Sequence, residues 1–375
     1  MKEPNRSAAK KENFITYGRN NNYAQHCIKC IKTYFTLTVG IHLTHETKLQ
    51  LEPIKSWEAK DTGMTYVWSS IALNDSTIVI LTSSQERYED YFLLIFNLNF
   101  SKVIPLDYLE KTMERNYPVL LKYGLGFGII SGTKELNYYE SIDAEREIIN
   151  LENELSQSQV IPQGAQRRYA NPVSDCNLFP VCFEYELYCG DSRHFSLLEL
   201  DIGQKNGKWK NFSSIENKTF PFHKNEEYAP KIDGLKIMSN EIFALIPGSK
   251  ITSVNKWGMD YYSLVKISNK GKVLEILIAS DNLYLSSKKR GVNGVFTQSE
   301  YVILKQVFKS DDWKGKQKLF SLDTKRYYDV QLPRGKSKFD IFQINDDNFW
   351  IISLVSKEIL LCQPVEIEKR NTNNC

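Results

Sequence analysis

The sequence predicts an all-β fold built from about six repeats of a four-stranded unit. Three observations lead there. Aromatic residues make up 12% of the chain, with 21 Tyr and 19 Phe, a bias that suits pleated, half-buried surfaces. Short apolar runs recur in pairs around small polar turns. The pairs return at a ragged period of roughly 50 residues, within the range of repeat architectures.

The first hairpin of the unit is clearest at Ile71–Leu81, Ile232–Ile246, Val292–Leu304 and Phe339–Ile352, with turns at Asn74, Asn240, Gln298 and Asn345. Asn and Asp suit such turns because they tolerate left-handed backbone angles and bond their own main chain. The flanking runs are too short for helices and too continuous for one-sided strands, so they read as strands buried on both faces. Two degenerate copies, Leu120–Ser131 and Val173–Cys189, fill the gap between Asn74 and Asn240. A second hairpin follows the first, at Tyr91–Ile104, Phe195–Trp209, Tyr262–Leu274 and Lys318–Tyr328. It carries more polar residues, as expected of strands nearer a rim. Four short strands per period is the signature of a propeller blade.

The segment Tyr34–Leu43 with Lys48–Leu51 reads as an unpartnered second hairpin. It is expected to pair with the C-terminal strands around Trp350 and Leu360, so that both ends of the chain complete one blade. If it forms more than half a blade, the count becomes seven. Residues 1–25 and 369–375 are polar tails with few apolar anchors, expected to pack loosely. One propeller domain is expected over 26–368. Asp107–Asn116 reads as a short helix. Ile148, Leu151 and Leu155 stand at helical spacing, which predicts a three-turn amphipathic helix over Asp143–Leu155. Gln157–Pro172 reads as a surface loop, giving a helical and loop insertion near 143–172.

Net charge is +3, too small by itself to imply a nucleic-acid partner. Between Lys288 and Lys338, however, 13 basic residues face 5 acidic ones. That stretch, 288–338, reads either as a polyanion surface or as a Lys-rich edge that discourages strand pairing between molecules. The seven cysteines are odd in number and scattered, which does not read as a disulfide framework. The first apolar stretch, Thr33–Leu43, makes a poor signal peptide. No run approaches the roughly 20 apolar residues of a membrane helix. The expectation is a cytoplasmic monomer that does not enter a membrane.

No motif assigns chemistry. Cys27 and Cys30 have zinc-type spacing but supply two ligands where a structural site wants four. His42, His45 or the group Cys176, Cys182 and Cys189 would have to complete it. Gly124-Leu-Gly-Phe-Gly128 fails the dinucleotide pattern, since Ile129 and Ser131 stand where glycine is needed, and the phosphate-loop pattern, since no Gly-Lys-Ser/Thr sits at the right distance. Its glycines are better explained as relieving crowding in a strand near a propeller axis. Asn74-Asp75, Asp311-Asp312 and Asp346-Asp347 read as turns rather than acid–base pairs. The five histidines accompany no nucleophile elbow. No catalytic residue, metal or cofactor is assigned.

Over residues 31–367 the chain resembles β-propellers in general. It lacks the Gly-His to Trp-Asp pairing of one subfamily, the Gly-Gly doublet of kelch repeats and the Ser-x-Asp-x-Gly-x-x-Trp box of sialidases. The resemblance therefore implies an architecture and no site residues. In such a ring, connections between the two hairpins, and linkers between blades, share one face. The residues that fall there and suit an interface are Arg87, Tyr88, Trp257, Tyr261, Arg290 and Trp313, because Trp, Tyr and Arg dominate interface energetics. The expected function is binding of a protein partner through this loop-rich face. The alternative is an enzyme or small-ligand binder at the central channel mouth. A third reading is a polyanion binder using 288–338.

Overall fold

The computed structural model describes residues 47–62, 64–83, 90–109, 118–130, 132–153, 166–167, 172–184, 194–216, 232–248, 261–279, 292–306, 317–337 and 339–367. Strand β1 spans Thr47–Glu58. Blade 1 follows as β2 (Tyr66–Asn74), β3 (Thr77–Ser83), β4 (Tyr91–Asn97) and β5 (Ser101–Pro105). Blade 2 holds β6 (Val119–Tyr123), β7 (Gly126–Ile130), β8 (Glu135–Tyr139) and β9 (Glu147–Asn153). Blade 3 is less regular, with β10 (Gln166–Arg167), β11 (Pro172–Ser174), β12 (Leu178–Glu184), β13 (His194–Asp201) and β14 (Asn206–Ser214). Blade 4 is β15 (Gly234–Met238), β16 (Glu241–Gly248), β17 (Tyr261–Ile267) and β18 (Val273–Ala279). Blade 5 is β19 (Val292–Phe296), β20 (Tyr301–Gln306), β21 (Gln317–Ser321) and β22 (Tyr327–Gln331). Blade 6 contributes β23 (Asp340–Asn345), β24 (Asn348–Ser353) and β25 (Glu358–Ile367). Its fourth strand is β1, antiparallel to β25 with Ser56 opposite Leu360. The chain is a β-propeller, whose described residues form six blades closed by N- and C-terminal strands in one blade.

The ring follows from how apolar residues are placed. In β3, Ile78 and Ile80 pack toward blade 6 while Val79 and Leu81 pack toward blade 2. In β24, Phe349 and Ile351 pack toward blade 5, and Trp350 and Ile352 toward blade 1. Successive strand residues point to opposite faces, so a run apolar at every position must have neighbours on both. Six apolar cores result, one in each junction between blades. The innermost strands touch in turn from β23 to β2, β6, β11, β15 and β19, and blade 5 meets β23 through its second strand, β20.

Four outermost strands also pair with each other. β9 runs parallel to β14 and β1 parallel to β22. Blades 2 and 3, and blades 5 and 6, thereby merge into eight-stranded sheets. Blade 3 departs from the pattern at its inner edge, where β11 ladders in parallel with β15 of blade 4.

Two expectations need correction. No helix spans Asp143–Leu155: residues 147–153 form β9, in which Ile149 is buried and Ile148 exposed. A strand pairing with β8 on one side and β14 on the other outweighs the helical spacing of Ile148, Leu151 and Leu155. The glycines after Leu121 do not line the axis either. Gly124 forms a turn at φ 58°, and Gly126 and Gly128 lie in the second strand, β7. A methyl group on Gly126 would collide with the Tyr139 carbonyl and lie 2.6 Å from Tyr138 Oη, while Gly132 has open space. Gly126→Ala is expected to lower the unfolding free energy by about 1–3 kcal/mol and Gly132→Ala by under about 0.5 kcal/mol, read from urea denaturation. Most of Asp107–Asn116 and of Gln157–Pro172, and all of Tyr34–Leu43, lie outside the described residues.

Candidate functional site

The turns of the first hairpins converge at one end of the axis, and their polar residues bond across blades. Gln343 sits among Ile341, Phe342 and Ile344 in the inner strand β23. Its Nε2 donates to Ser70 O (2.9 Å) in blade 1, and its Oε1 accepts from Gln298 N (2.9 Å) in blade 5. Gln298 Oε1 in turn accepts from Ala72 N. Asn345 Nδ2 donates to Asp75 Oδ1 (3.0 Å), and Leu120 N donates to Ser69 Oγ (3.0 Å). Ser239 N donates to Asp175 Oδ2 (2.7 Å), linking blades 4 and 3.

Two lysines stand in this mouth. Lys122 is half-buried, and burial lowers its pKa against the opposing pull of Asp346 and Asp75. Lys236 is only 1% exposed. Its Nζ donates to Thr297 O (2.8 Å) and to Ser299 O, both in blade 5. Burial pulls its pKa down to about 8, while Asp175, Glu300 and Asp323 favour the charged form. The groups at this end therefore bind blade to blade. Among the described residues no group of three His, Cys, Asp or Glu stands placed for a metal ion. Cys182 is buried in the core between blades 3 and 4, where burial raises its pKa, and Cys176 is half-buried beside Ser174. Cys27, Cys30, His42, His45 and Cys189 lie outside the described residues.

The binding residues expected from sequence fall almost wholly outside the described residues. These are Arg87, Tyr88, Trp257, Arg290 and Trp313; of Tyr261 the backbone is described, opposite Gly248 at the start of β17. The strand ends that flank them lie at the end of the blades opposite the first-hairpin turns. That end is described at blade 6, where the β24–β25 turn meets the linker from β1 to β2. Ala59 N donates to Lys357 O (2.7 Å), and Lys357 Nζ reaches Met64 O. The tip of the turn exposes Leu354 (40%) and Val355 (78%). Beside it lies an open cleft of about 410 Å³ lined by Glu58, Lys60, Val355, Ser356, Lys357 and Glu358. Lys60 pairs with Glu58 (3.1 Å), and Lys336 donates to both oxygens of Glu358 (2.7 Å each). Burial alone would raise the Glu358 pKa, but bonds from Lys336 and Ser56 hold it below the usual carboxylate value. Sequence reasoning missed this tip. Its signal is a Leu-Val pair set inside a turn of Ser, Lys and Glu.

In the basic stretch, three of the five Lys and Arg residues whose side chains are described are ion-paired: Lys318 with Asp329 (3.2 Å), Lys325 with Glu275 (2.7 Å) and Lys336 with Glu358. Asp329 belongs to the stretch itself, so only Glu275 and Glu358 offset its excess charge from outside.

A second concavity of about 420 Å³ opens between blades 3 and 4. Leu178, Leu197, Ile237, Ile242, Ile267 and Leu274 supply its apolar wall, and the Lys266–Glu241 ion pair closes one end.

The class these features define is a β-propeller with closed inter-blade cores. No protein-family model matches the sequence, and no curated protein does. Among solved structures the chain is similar to YCF48 bound to a D1 peptide, at 8% identity and TM-score 0.39, covering 86% of this chain and 98% of that one. It is also similar to the Cps50 (Swd1) β-propeller domain of Myceliophteria thermophila, at 7% identity and TM-score 0.41, covering 80% and 83%. A Bacteroides thetaiotaomicron protein of unknown function matches at 11% identity and TM-score 0.45, covering 85% and 77%. Among the described residues no helix is long and apolar enough to cross a membrane.

Proposed function

We propose that this chain is a protein-interaction propeller that takes a protein partner on the face opposite the first-hairpin turns. The observation that carries the reading is the described corner of that face. Leu354 and Val355 are exposed in a short turn, and Val355 lines a cleft with Glu58, Lys60, Lys357 and Glu358. An exposed apolar anchor inside a polar rim is the anatomy of a protein interface. Arg87, Tyr88, Trp257, Tyr261, Arg290 and Trp313 belong to the same proposed surface. The channel-mouth enzyme gains no support at the first-hairpin end, where Gln298 and Gln343 spend their polar groups on bonds between blades.

The test is affinity capture with the full chain, comparing wild type with Leu354→Ala/Val355→Ala and with Trp257→Ala/Trp313→Ala. A partner that wild type retains is expected to be lost from both variants, each by about tenfold or more in Kd. The Leu354/Val355 variant is expected to melt within about 2 °C of wild type, since its side chains are exposed. Undiminished capture by both variants would remove this face from consideration.

A further inference from the structure

We propose that the groove between blades 3 and 4 is a second docking site, for a short extended segment of a protein partner that presents a bulky apolar side chain flanked by carboxylates. The inference starts from the sheet edges. Four of the six outermost strands are paired to one another, which leaves β5 and β18 at sheet ends among the described residues. The β5 edge carries the usual protections of an exposed strand. It has five residues and ends on Pro105, and Lys102 reaches across to Asp143 (3.0 Å) and Ile142 O (3.1 Å).

The β18 edge carries one ion pair of this kind, Glu275 with Lys325 of blade 5 (2.7 Å), but none of the other protections. It has seven residues with neither Pro nor Lys, and it exposes Leu274 (55%) and Ile276 (45%). Two register shifts interrupt its pairing with β17. Leu274 consequently lines the groove, so an occupant docks by its side chains rather than by extending the ladder. The space is within the range that accepts one or two large side chains.

Charge selects the flanks. The β17–β18 turn borders the groove through Ser268 and Asn269 and continues into Lys270 and Lys272. Both lysines are exposed, and neither is ion-paired among the described residues, whereas Lys266 and Glu275 are held by Glu241 and Lys325. The turn is fixed. Glu216 N donates to Gly271 O (3.0 Å), and Val273 N donates to Glu216 Oε1 (3.0 Å). Two cations carried on a turn that borders an apolar slot complement acidic residues next to an apolar anchor.

Selection of random phage-displayed peptides on the full chain tests this. Recovered peptides are expected to carry Leu, Ile, Phe or Trp next to Asp or Glu. A recovered peptide, fluorescein-labelled, is expected to bind wild type and to weaken at least about tenfold with Leu274→Asp and with Lys270→Glu/Lys272→Glu. Its affinity is expected to fall with added salt. Leu354→Ala/Val355→Ala is expected to leave it unchanged, which separates this site from the face proposed above. Recovery of no peptide, or binding indifferent to both the Leu274 and the Lys270/Lys272 variants, overturns the proposal. So does a wild-type dimer that Leu274→Asp converts to monomer, because the groove would then belong to a second copy of this chain.

Discussion

A chain starting at Ala59, without β1, is expected to lose the cooperative unfolding transition of the full chain. β1 pairs with β25 along ten register positions and with β22 along four. Its removal leaves β25 and β22 each with one bare edge, paired only to β24 and β21, and opens the ring. The loss in packing is equally local. Leu49 and Leu51 fill the core between blades 5 and 6. Trp57 stacks on Trp350 at 5.6 Å in the core between blades 6 and 1, and its Nε1 donates to Asn97 O (3.2 Å) in blade 1. Trp57→Ala alone is expected to cost about 3–5 kcal/mol. Whole domains are stable by only about 5–15 kcal/mol, so losing the strand entirely exceeds what the remainder can absorb. Urea denaturation followed by near-ultraviolet circular dichroism reads the result. A truncated chain with the full chain's midpoint and slope would show that the ring does not need its closing strand.

That closing strand is legible in the residues themselves. Lys48–Leu51 alternates as a strand should and has no local partner, and it lies opposite residues 364–367 of β25. Five of the six expected first hairpins are legible because buried strands near the axis are apolar at every position, as in Ile78–Leu81; the sixth, Val173–Cys189, is not a paired hairpin, since β11 ladders with β15 and β12 with β10 and β13. The outer strands are legible only in part, for the same physical reason: the second hairpins reach into β5, β14, β18 and β22, while β9 is missed. Half-exposed strands such as β9 tolerate polar residues, so Ile148, Leu151 and Leu155 mimic a helix period that pairing with β8 and β14 overrides. The parallel rim pairs leave no mark on the sequence, because they join strands whose contact depends on how adjacent blades twist. The expected binding residues follow from topology and have no described side chains against which to stand. Leu354 and Val355 escape notice because two apolar residues in a turn look like strand until the register is known.

Lys236 is a case where sequence misleads about burial, and it carries the second large effect. Within Leu235-Lys236-Ile237 a lysine reads as a surface residue, yet its ammonium lies inside the junction of blades 4 and 5. The ordinary lysine value is 10.5, and in the folded chain it falls to about 8. Below about pH 8 both states are protonated and the full cost of the buried charge is present. Between about pH 8 and 10.5 the unfolded chain binds the extra proton, so stability rises with pH. The whole span is worth about 3 kcal/mol. Lys236→Met removes the charge but leaves Thr297 O and Ser299 O without this donor, at about 1–3 kcal/mol for such a loss. Near pH 7 these two effects are expected to offset one another, so the variant and wild type should have similar stability. Near pH 10 the neutral amine of wild type still donates its bonds, and the variant should be less stable by about 1–3 kcal/mol. The measurement is urea denaturation of both chains from about pH 7 to 10, taken as a difference so that tyrosines titrating in both cancel. Stability curves that stay parallel across that range would place the Lys236 ammonium in water, and the bond between blades 4 and 5 would have to be made by apolar packing alone.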